Sequence, residues 1–300
     1  MEEHAFLRGV YNITPTPFHP DGSLDVASVA TVTRFTIERG VDGLTILGVM
    51  GEGEKLTDAE RDQVIAATIE AAGDVPVCVG ATHAATDGAV AHCRRAQQLG
   101  ASAVMVGPPR LARSSDAALR RHYLAIAEAV HVPVVVQDHP PSSGVFMGVE
   151  FLANLADEAP LCRYLKLEDE PSPVKIGQVL AANPEARVFG GLGGLMMLED
   201  LRRGAIGMMT GFAFPEILVR VHRAFARGDG DEAAAVFYRY LPLIRFENQA
   251  RVNLAIRKHL YHRRGALASP RARFPAMDLD AGTLADLEDL LRRLGLAGGG

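Results

Sequence analysis

The sequence predicts an α/β fold, a (β/α)8 TIM barrel with a helical extension at its C-terminal end. Short apolar or β-branched runs recur about every 30 residues, and each is followed by a segment with helical spacing. Eight such units fit into about 215 residues, whereas an open doubly wound sheet usually has fewer strands. The predicted strands span residues 9–14, 43–47, 77–80, 103–106, 134–136, 163–167, 187–190 and 206–210.

Helical patterns between these strands include residues 24–39, 57–72 and 115–129. The second pattern has a clear start, because Thr57 is followed three residues later by Glu60, which is the spacing of a capping box. The third pattern follows Arg113-Ser114. Strand and helix therefore alternate along the first part of the chain.

The alternation stops near residue 215, and the remaining chain is predicted to be helical. Apolar positions recur at helical spacing in residues 217–226, 233–246, 252–262 and 284–294. Residues 269–275 have a proline near each end, which predicts an extended linker, and the glycine run 298–300 is expected to fray. We therefore divide the chain into a barrel, residues 1–215, and a helical region packed on it, residues 216–300.

Composition limits the classes of protein that fit the sequence. A chain of 300 residues that is 48% hydrophobic can bury a large core, and three irregularly spaced cysteines suggest neither disulfides nor a metal site. A net charge of -5 argues against nucleic acid as a partner. The acidic start at Met1-Glu2-Glu3-His4 and the absence of an apolar run of about 18 residues predict a cytoplasmic protein without a membrane span.

Lys166 is the main candidate for covalent chemistry. It is one of four lysines and ends a predicted strand, where alternation puts it on one face with Cys162 and Tyr164, opposite Leu165 and Leu167. A lysine on a face with few charges is desolvated, and a desolvated amine attacks a ketone to form a Schiff base. The alternative is a lysine whose stem packs at a strand end while its amine reaches solvent.

Gly48-Val49-Met50-Gly51-Glu52 follows the second predicted strand, at the end of the barrel where active sites lie. Two glycines at this spacing let backbone amides turn toward a ligand, and the N-terminus of the next helix favours an anion such as a carboxylate. The alternative is that the glycines only turn the chain after a strand.

These motifs together resemble the dihydrodipicolinate synthase / N-acetylneuraminate lyase family. The GxxGE motif, the stretch 140–144 with Pro140 and Gly144 at its ends, and the lysine ending the sixth strand have the family's order and spacing. The opening, residues 14–25, also matches, and the resemblance covers roughly residues 8–215. It implies a class I lyase, aldolase or dehydratase that joins pyruvate or another 2-oxo acid to Lys166 without a metal or a cofactor. It also implies a homo-tetramer or homo-dimer.

The sequence departs from the family at residues that decide the reaction. Val49 and Met50 replace two hydroxyl residues, although their backbone amides can still bind the substrate carboxylate. Gln137 stands where the family has its catalytic tyrosine, and an amide is not a general acid at neutral pH. Ser142 replaces the arginine that binds the aldehyde partner, and a further tyrosine is replaced within residues 107–110. Lysine-biosynthetic activity is therefore not expected.

Several residues near Lys166 are candidates for the missing proton transfer. Asp138 and His139 adjoin Gln137, and either can assume this role, assisted by Glu54 or Glu168. Glu168 continues the face of Lys166, where it can stabilise the ammonium or carry protons. The alternatives are that His139 only shapes its loop and that Glu168 is a solvated loop carboxylate. The predicted substrate-binding residues are Gly48, Val49, Met50, Gly51, Glu52, Gly190 and Thr210. For Glu52 we favour a role in holding the loop, and for Gly190 a role in close packing.

Two functions remain from the sequence. The first is a Schiff-base lyase acting on a 2-oxo acid such as a deoxy-sugar acid or, given the apolar Val49 and Met50, an aromatic aldehyde adduct. The second is a non-catalytic 2-oxo acid binding or regulatory protein that kept the lysine and lost the tyrosine. Exchange of the methyl protons of pyruvate with solvent separates the two, because only a catalyst promotes it.

Overall fold

The computed structural model describes residues 7–109 and 115–297 and contains the predicted closed barrel. Eight parallel strands pair in chain order, and β1 closes the barrel by pairing with β8. The strands are β1 Gly9–Ile13, β2 Gly43–Ile46, β3 Val77–Gly80, β4 Ala103–Val106, β5 Val134–Asp138, β6 Tyr164–Leu167, β7 Arg187–Gly190 and β8 Gly207–Thr210. The predicted fold class is confirmed.

Helices surround the barrel and continue beyond it, as the sequence predicts. Those of the barrel are α1 Val26–Ile37, α2 Asp58–Ala72, α3 Thr86–Gln98, α4 Asp116–Ala129, α5 Pro140–Ser143, α6 Val149–Glu158, α7 Ser172–Ala182 and α8 Met197–Arg202. Those of the C-terminal region are α9 Pro215–Ala226, α10 Gly230–Glu247, α11 Asn253–Arg263 and α12 Ala281–Leu294. The capping box at the start of α2 is confirmed, since the Thr57 hydroxyl accepts from the Glu60 amide and the Glu60 carboxylate accepts from the Thr57 amide.

The fifth strand is longer than its apolar run. Gln137 and Asp138 interrupt the valines in the sequence, but they pair in register with Lys166 and Leu167 of β6 and so belong to the sheet. Strand pairing is a backbone property, and two polar residues at a strand end do not prevent it. This extension sets Gln137 beside Lys166 at the C-terminal mouth of the barrel.

Side chains of alternate strand residues fill two apolar layers. The layer inside the barrel includes Tyr11, Met105, Val135, Tyr164 and Phe189, and the outer layer lies between the strands and the helices. Gln137 and Lys166 follow Val135 and Tyr164 by two residues, so alternation directs both to the interior. Val136, between Val135 and Gln137, and Leu165, between Tyr164 and Lys166, face the helices instead.

One part of the predicted face was wrong. Cys162 does not share the face of Tyr164 and Lys166, because it lies in a 3₁₀ turn, Pro160–Arg163, that precedes β6. It packs in the outer layer with Leu165 and Leu167. A period of two applies only within a strand, and the strand begins two residues after the cysteine.

The C-terminal helices are fixed to the barrel by buried polar contacts. The Asn12 side chain of β1 donates to the Tyr261 hydroxyl of α11 at 2.6 Å, and that hydroxyl donates to the Phe212 carbonyl at 3.2 Å. Residues 269–275 form neither helix nor strand, as predicted. The division into residues 1–215 and 216–300 stays a prediction.

Four features discussed from the sequence lie outside the described residues. They are the acidic start at residues 1–4, the loop residue Arg110, the pair Arg113-Ser114 before α4, and the glycines 298–300. Within the described residues, no helix combines the length and the apolar character needed to cross a membrane.

A buried carboxylate between α7 and α8 gives a testable pH dependence of stability. Asp200 is 1% exposed and accepts from the Ser172 hydroxyl at 3.2 Å. Burial, against that hydrogen bond, raises the pKa of Asp200 from 3.8 to about 7. Between these two values the native state keeps a proton that the unfolded chain releases, so this group's contribution to stability falls as the pH rises.

We therefore expect Asp200→Asn to remove part of the loss of stability between pH 4 and pH 7. The free energy of unfolding of the variant, relative to the wild type, should rise by up to about 4 kcal/mol across that range. Urea denaturation of both proteins at several pH values measures this difference. Asp231→Asn, at an exposed position, is the control. Parallel pH profiles for wild type and Asp200→Asn would contradict the prediction.

Candidate active site

Lys166 and Glu168 form a buried ion pair at the mouth of the barrel. The Lys166 amine lies 2.9 Å from Oε2 of Glu168, and the two side chains are only 3% and 8% exposed. The sequence placed both residues on one face, and the structure brings them together. A desolvated amine in contact with a carboxylate has a nearby group that can take a proton from it.

Three further contacts fix Glu168. The Gln137 amide donates to Oε2 at 2.9 Å, and the Leu192 backbone N–H donates to Oε1 at 3.1 Å. The Glu168 backbone N–H donates to the Asp138 carbonyl at 2.8 Å. A Cβ on Gly191 would lie 2.4 Å from the Glu168 Cγ, so only glycine fits beside this side chain. Glu168 is therefore held in one place by residues from β5, β6 and the loop after β7.

Charge neighbours keep Glu168 ionised. Burial alone would raise its pKa, but Lys166, with His139 and the hydrogen bond from Gln137, holds the pKa of Glu168 below its ordinary value. Its resting form is therefore a carboxylate, which can accept a proton but cannot yet donate one.

The Asp138 side chain points toward α7 and not toward Lys166. Its carboxylate lies 2.6 Å from the Lys175 amine of α7, and the same amine lies 2.8 Å from Asp169. Burial, against the contact with Lys175, raises the pKa of Asp138 to about 6. The structure therefore does not bring Asp138 to the Lys166 amine, and its catalytic role stays a prediction without support from its position.

A cavity of about 480 Å³ opens over the C-terminal ends of β2 to β5. Gln137 lines this cavity. Its amide contacts Glu168, and Glu168 in turn contacts Lys166. The cavity is lined in part by Gly48, Val49, Thr82, His83, Gln137 and His139. It therefore joins the predicted carboxylate-binding turn to the edge of the Lys166 site.

His139 lines this cavity near the ion pair. Its Nδ1 lies 2.8 Å from the Ser142 hydroxyl, and burial lowers the pKa of the imidazole below its ordinary value. A neutral imidazole is expected near pH 7, in a position to contact a substrate in the cavity. Glu54 lines the same cavity.

The GxxGE motif forms a tight turn in which Val49–Gly51 is a 3₁₀ helix. Val49 and Met50 occupy its first positions, where backbone N–H groups have no partner inside the turn. Glu52 adopts a left-handed conformation with φ 56°, and its side chain is fully buried against Lys55, Lys258 and the backbone of Arg273. These contacts fit the loop-holding role that we favour for Glu52.

The sequence of the whole chain identifies its relatives. The profile described as "Dihydrodipicolinate synthetase family" matches residues 6–294. The chain belongs to this family. It is therefore a lyase of the dihydrodipicolinate synthetase family on a TIM barrel, and the resemblance drawn from its motifs is confirmed.

Relatives of known sequence and structure cover nearly the full chain. The L-2-keto-3-deoxyarabonate dehydratase of Azospirillum brasilense is 36% identical, and the match covers 96% of this chain and 94% of the relative. The dihydrodipicolinate synthase of Rhodopseudomonas palustris superposes with a TM-score of 0.90 at 33% identity, covering 96% and 97% of the two chains. YagE, an Escherichia coli protein of the same synthase family solved in complex with pyruvate, gives 0.89 at 26% identity, covering 97% and 100%.

Two predicted binding residues of this family member have mainly structural surroundings. A Cβ on Gly190 would lie 2.3 Å from the Asp200 carboxylate, which agrees with the close-packing role. Thr210 is buried at the end of β8 and pairs with Asn12 of β1. Neither residue lines the cavity, and their contact with substrate stays a prediction.

The structure adds residues that the sequence did not single out. Leu192 and Gly191 contact Glu168, Lys175 pairs with Asp138, and Lys258 and Arg273 reach Glu52. The scarcity of lysine could have drawn attention to Lys175 and Lys258, but nothing local in the sequence indicates their partners.

Among the residues described, no three His, Cys, Asp or Glu side chains are grouped as a metal site. Catalysis without metal or cofactor stays a prediction.

Proposed function

We propose that this lyase is a Schiff-base dehydratase of a 2-oxo-3-deoxy sugar acid. The observation that carries the proposal is the buried contact between Lys166 and Glu168, with Gln137 in place of a tyrosine. The amine supplies the nucleophile, and the carboxylate supplies a proton acceptor 2.9 Å away. The identity with a 2-keto-3-deoxy acid dehydratase and the fold shared with a pyruvate-binding protein support this class of substrate.

The first half of the reaction forms the iminium. Glu168 takes a proton from the Lys166 ammonium, and the free amine attacks the C2 carbonyl of the substrate to give a carbinolamine. Protonated Glu168 returns its proton to the departing hydroxyl, which leaves as water. The backbone N–H groups of Val49 and Met50 bind the substrate carboxylate. At the end of this half, the substrate is an iminium at C2 and Glu168 is ionised again.

The second half removes water from the substrate. The iminium acidifies the C3 hydrogens, so Glu168 can take one of them and leave an enamine. The enamine electrons expel the hydroxyl on C4, which takes up the proton from Glu168 and leaves as water. Hydrolysis of the conjugated iminium then releases the product and frees Lys166. The net change is the loss of one water molecule.

Two departures from the family argue for dehydration over carbon–carbon bond formation with a carboxylated aldehyde. Gln137 keeps Glu168 in place through its amide but supplies no acidic proton at neutral pH. Ser142 stands where the arginine for the aldehyde's carboxylate is expected, and its hydroxyl is engaged with His139. A single carboxylate beside the lysine is sufficient for elimination, in which the same proton moves from C3 to the leaving hydroxyl.

The experiment is nuclear magnetic resonance of reactions in D2O with five- and six-carbon 2-oxo-3-deoxy acids and with pyruvate. A dehydratase should yield a product lighter by one water and should exchange the methyl protons of pyruvate. Release of pyruvate and an aldehyde would make the enzyme an aldolase instead. Adduct formation without exchange or turnover would favour the non-catalytic binding protein and overturn the proposal.

A further inference from the structure

Glu52 of the GxxGE turn is buried at a junction with the C-terminal region. Its side chain is 0% exposed and accepts from the Lys55 amine at 3.0 Å, while the Lys258 amine of α11 is in direct contact with its other oxygen. Lys258 is itself 0% exposed. A buried carboxylate is stable only while its charge partners stay in place, so the turn depends on them.

Residues 269–275, here called the C-terminal strap, complete this junction. The Arg273 backbone N–H donates to Oε2 of Glu52 at 2.9 Å, and the Arg273 carbonyl accepts from the Lys55 amine at 2.8 Å. The Lys258 amine donates to the Arg271 carbonyl at 2.8 Å. Lys258 therefore contacts both the turn and the strap, and each depends on the other for its position.

The strap is held against the barrel by the Arg273 side chain. Its guanidinium donates to Glu60 of α2 at 2.7 Å and to the Gly22 carbonyl at 2.9 Å. Arg273 and Lys258 both lie over the buried Phe18 ring, with the guanidinium carbon 4.3 Å and the amine 4.4 Å from its centroid. Cations at these distances are attracted to the ring face. The strap is therefore anchored beside the turn at several points.

We infer that Lys258 and Arg273 are positioning residues, which hold the GxxGE turn through Glu52 in the conformation that binds the substrate carboxylate. The inference rests on the proposed function, because it takes the Val49 and Met50 amides as the carboxylate site. It goes beyond that function by assigning part of the substrate affinity to residues of the C-terminal region that touch no substrate. The left-handed backbone of Glu52, φ 56°, is a conformation that a non-glycine residue keeps only when its contacts hold it.

The test compares two ketones that differ in the carboxylate. Pyruvate and hydroxyacetone share a carbonyl, but hydroxyacetone has CH2OH where pyruvate has the carboxylate. For each protein, the concentration that gives half-maximal borohydride-trapped adduct is measured by intact mass. We expect Lys258→Met to raise this concentration for pyruvate about tenfold and to leave that for hydroxyacetone unchanged. Lys258→Arg should restore much of the affinity for pyruvate.

Arg257→Met is the matched control. Arg257 is the neighbouring residue on α11 and is equally buried, but its ion pair is with Glu247. This variant should not change the ratio between pyruvate and hydroxyacetone. If Lys258→Met fails to fold, the double variant Glu52→Gln/Lys258→Met removes both charges of the pair and should show the same selective loss for pyruvate.

Two outcomes overturn the inference. Equal weakening of both ketones by Lys258→Met would indicate general damage, and no change for either would show that the turn is independent of the strap. If the wild type forms no adduct, the proposed function fails first. Hydrogen exchange of residues 47–56 then decides the structural claim, because Lys258→Met should raise exchange there and Arg257→Met should not.

Discussion

Lys166→Ala is expected to abolish covalent capture of 2-oxo acids. In the proposed mechanism the iminium that acts as the electron sink forms on Lys166, so turnover should fall by roughly 10³-fold or more. The measurement is intact mass after borohydride reduction with pyruvate. The wild type should gain the mass of one reduced pyruvate for each chain, and the variant should gain none.

The chain offers a sharp control for this result. It contains only four lysines, at positions 55, 166, 175 and 258, so peptide mapping of the trapped wild type assigns the adduct without ambiguity. Lys175→Met removes another buried amine near the site, one that is paired with Asp138 and Asp169, and should keep the adduct at Lys166. An adduct on Lys175, or none on any lysine with any keto acid, would contradict the proposed chemistry.

Glu168→Gln should separate adduct formation from turnover. The amide is nearly isosteric with the carboxylate, so the contacts with Gln137 and the Leu192 amide can be kept in part. Lys166 can still form an adduct over longer times, but proton removal from C3 loses its base. We expect turnover and exchange of pyruvate methyl protons to fall about 10² to 10⁴-fold. Exchange rates by nuclear magnetic resonance and trapped mass by spectrometry measure the two effects on the same samples.

Asp138→Asn is the matched control for Glu168→Gln. It neutralises a second buried carboxylate on an adjacent strand, but one whose contact is with Lys175. Exchange in this variant should stay within a few-fold of the wild type, although the fold should lose stability. A large loss of exchange in Asp138→Asn, with little loss in Glu168→Gln, would transfer the base role to Asp138.

If Glu168 is the base, its protonation sets the low-pH limb of the pH dependence of pyruvate methyl-proton exchange. Lys166 and its neighbours hold the pKa of Glu168 below 4.5, so the base is ionised above that pH. Protonation of Glu168 should therefore reduce exchange only below pH 4.5, and this limb should vanish in Glu168→Gln. Loss of exchange between pH 5 and pH 7 would indicate a different base.

The sequence alone determined the barrel and the place of Lys166 on its inner face, because both follow from local patterns. Apolar runs at a steady interval specify strands, the pair Thr57 and Glu60 specifies a helix start, and alternation within β6 puts Lys166 and Tyr164 on the inner face. Each of these patterns depends on residues only a few positions apart. These patterns are therefore visible without the structure of the remainder of the chain.

Only the tertiary structure decided which of the charged residues near Lys166 contacts its amine. The sequence offered Asp138 for the proton transfer and Glu168 as an assisting group, but the fold turns Asp138 toward α7 and Glu168 toward the lysine. The contact between Glu52 and Arg273 joins residues 221 positions apart. Such contacts follow from how helices and loops pack around the closed barrel, and no local spacing encodes them. The position of Lys166 at the mouth of the barrel was therefore readable from the sequence, whereas its contact with Glu168 and the support of the GxxGE turn by the C-terminal region required the fold.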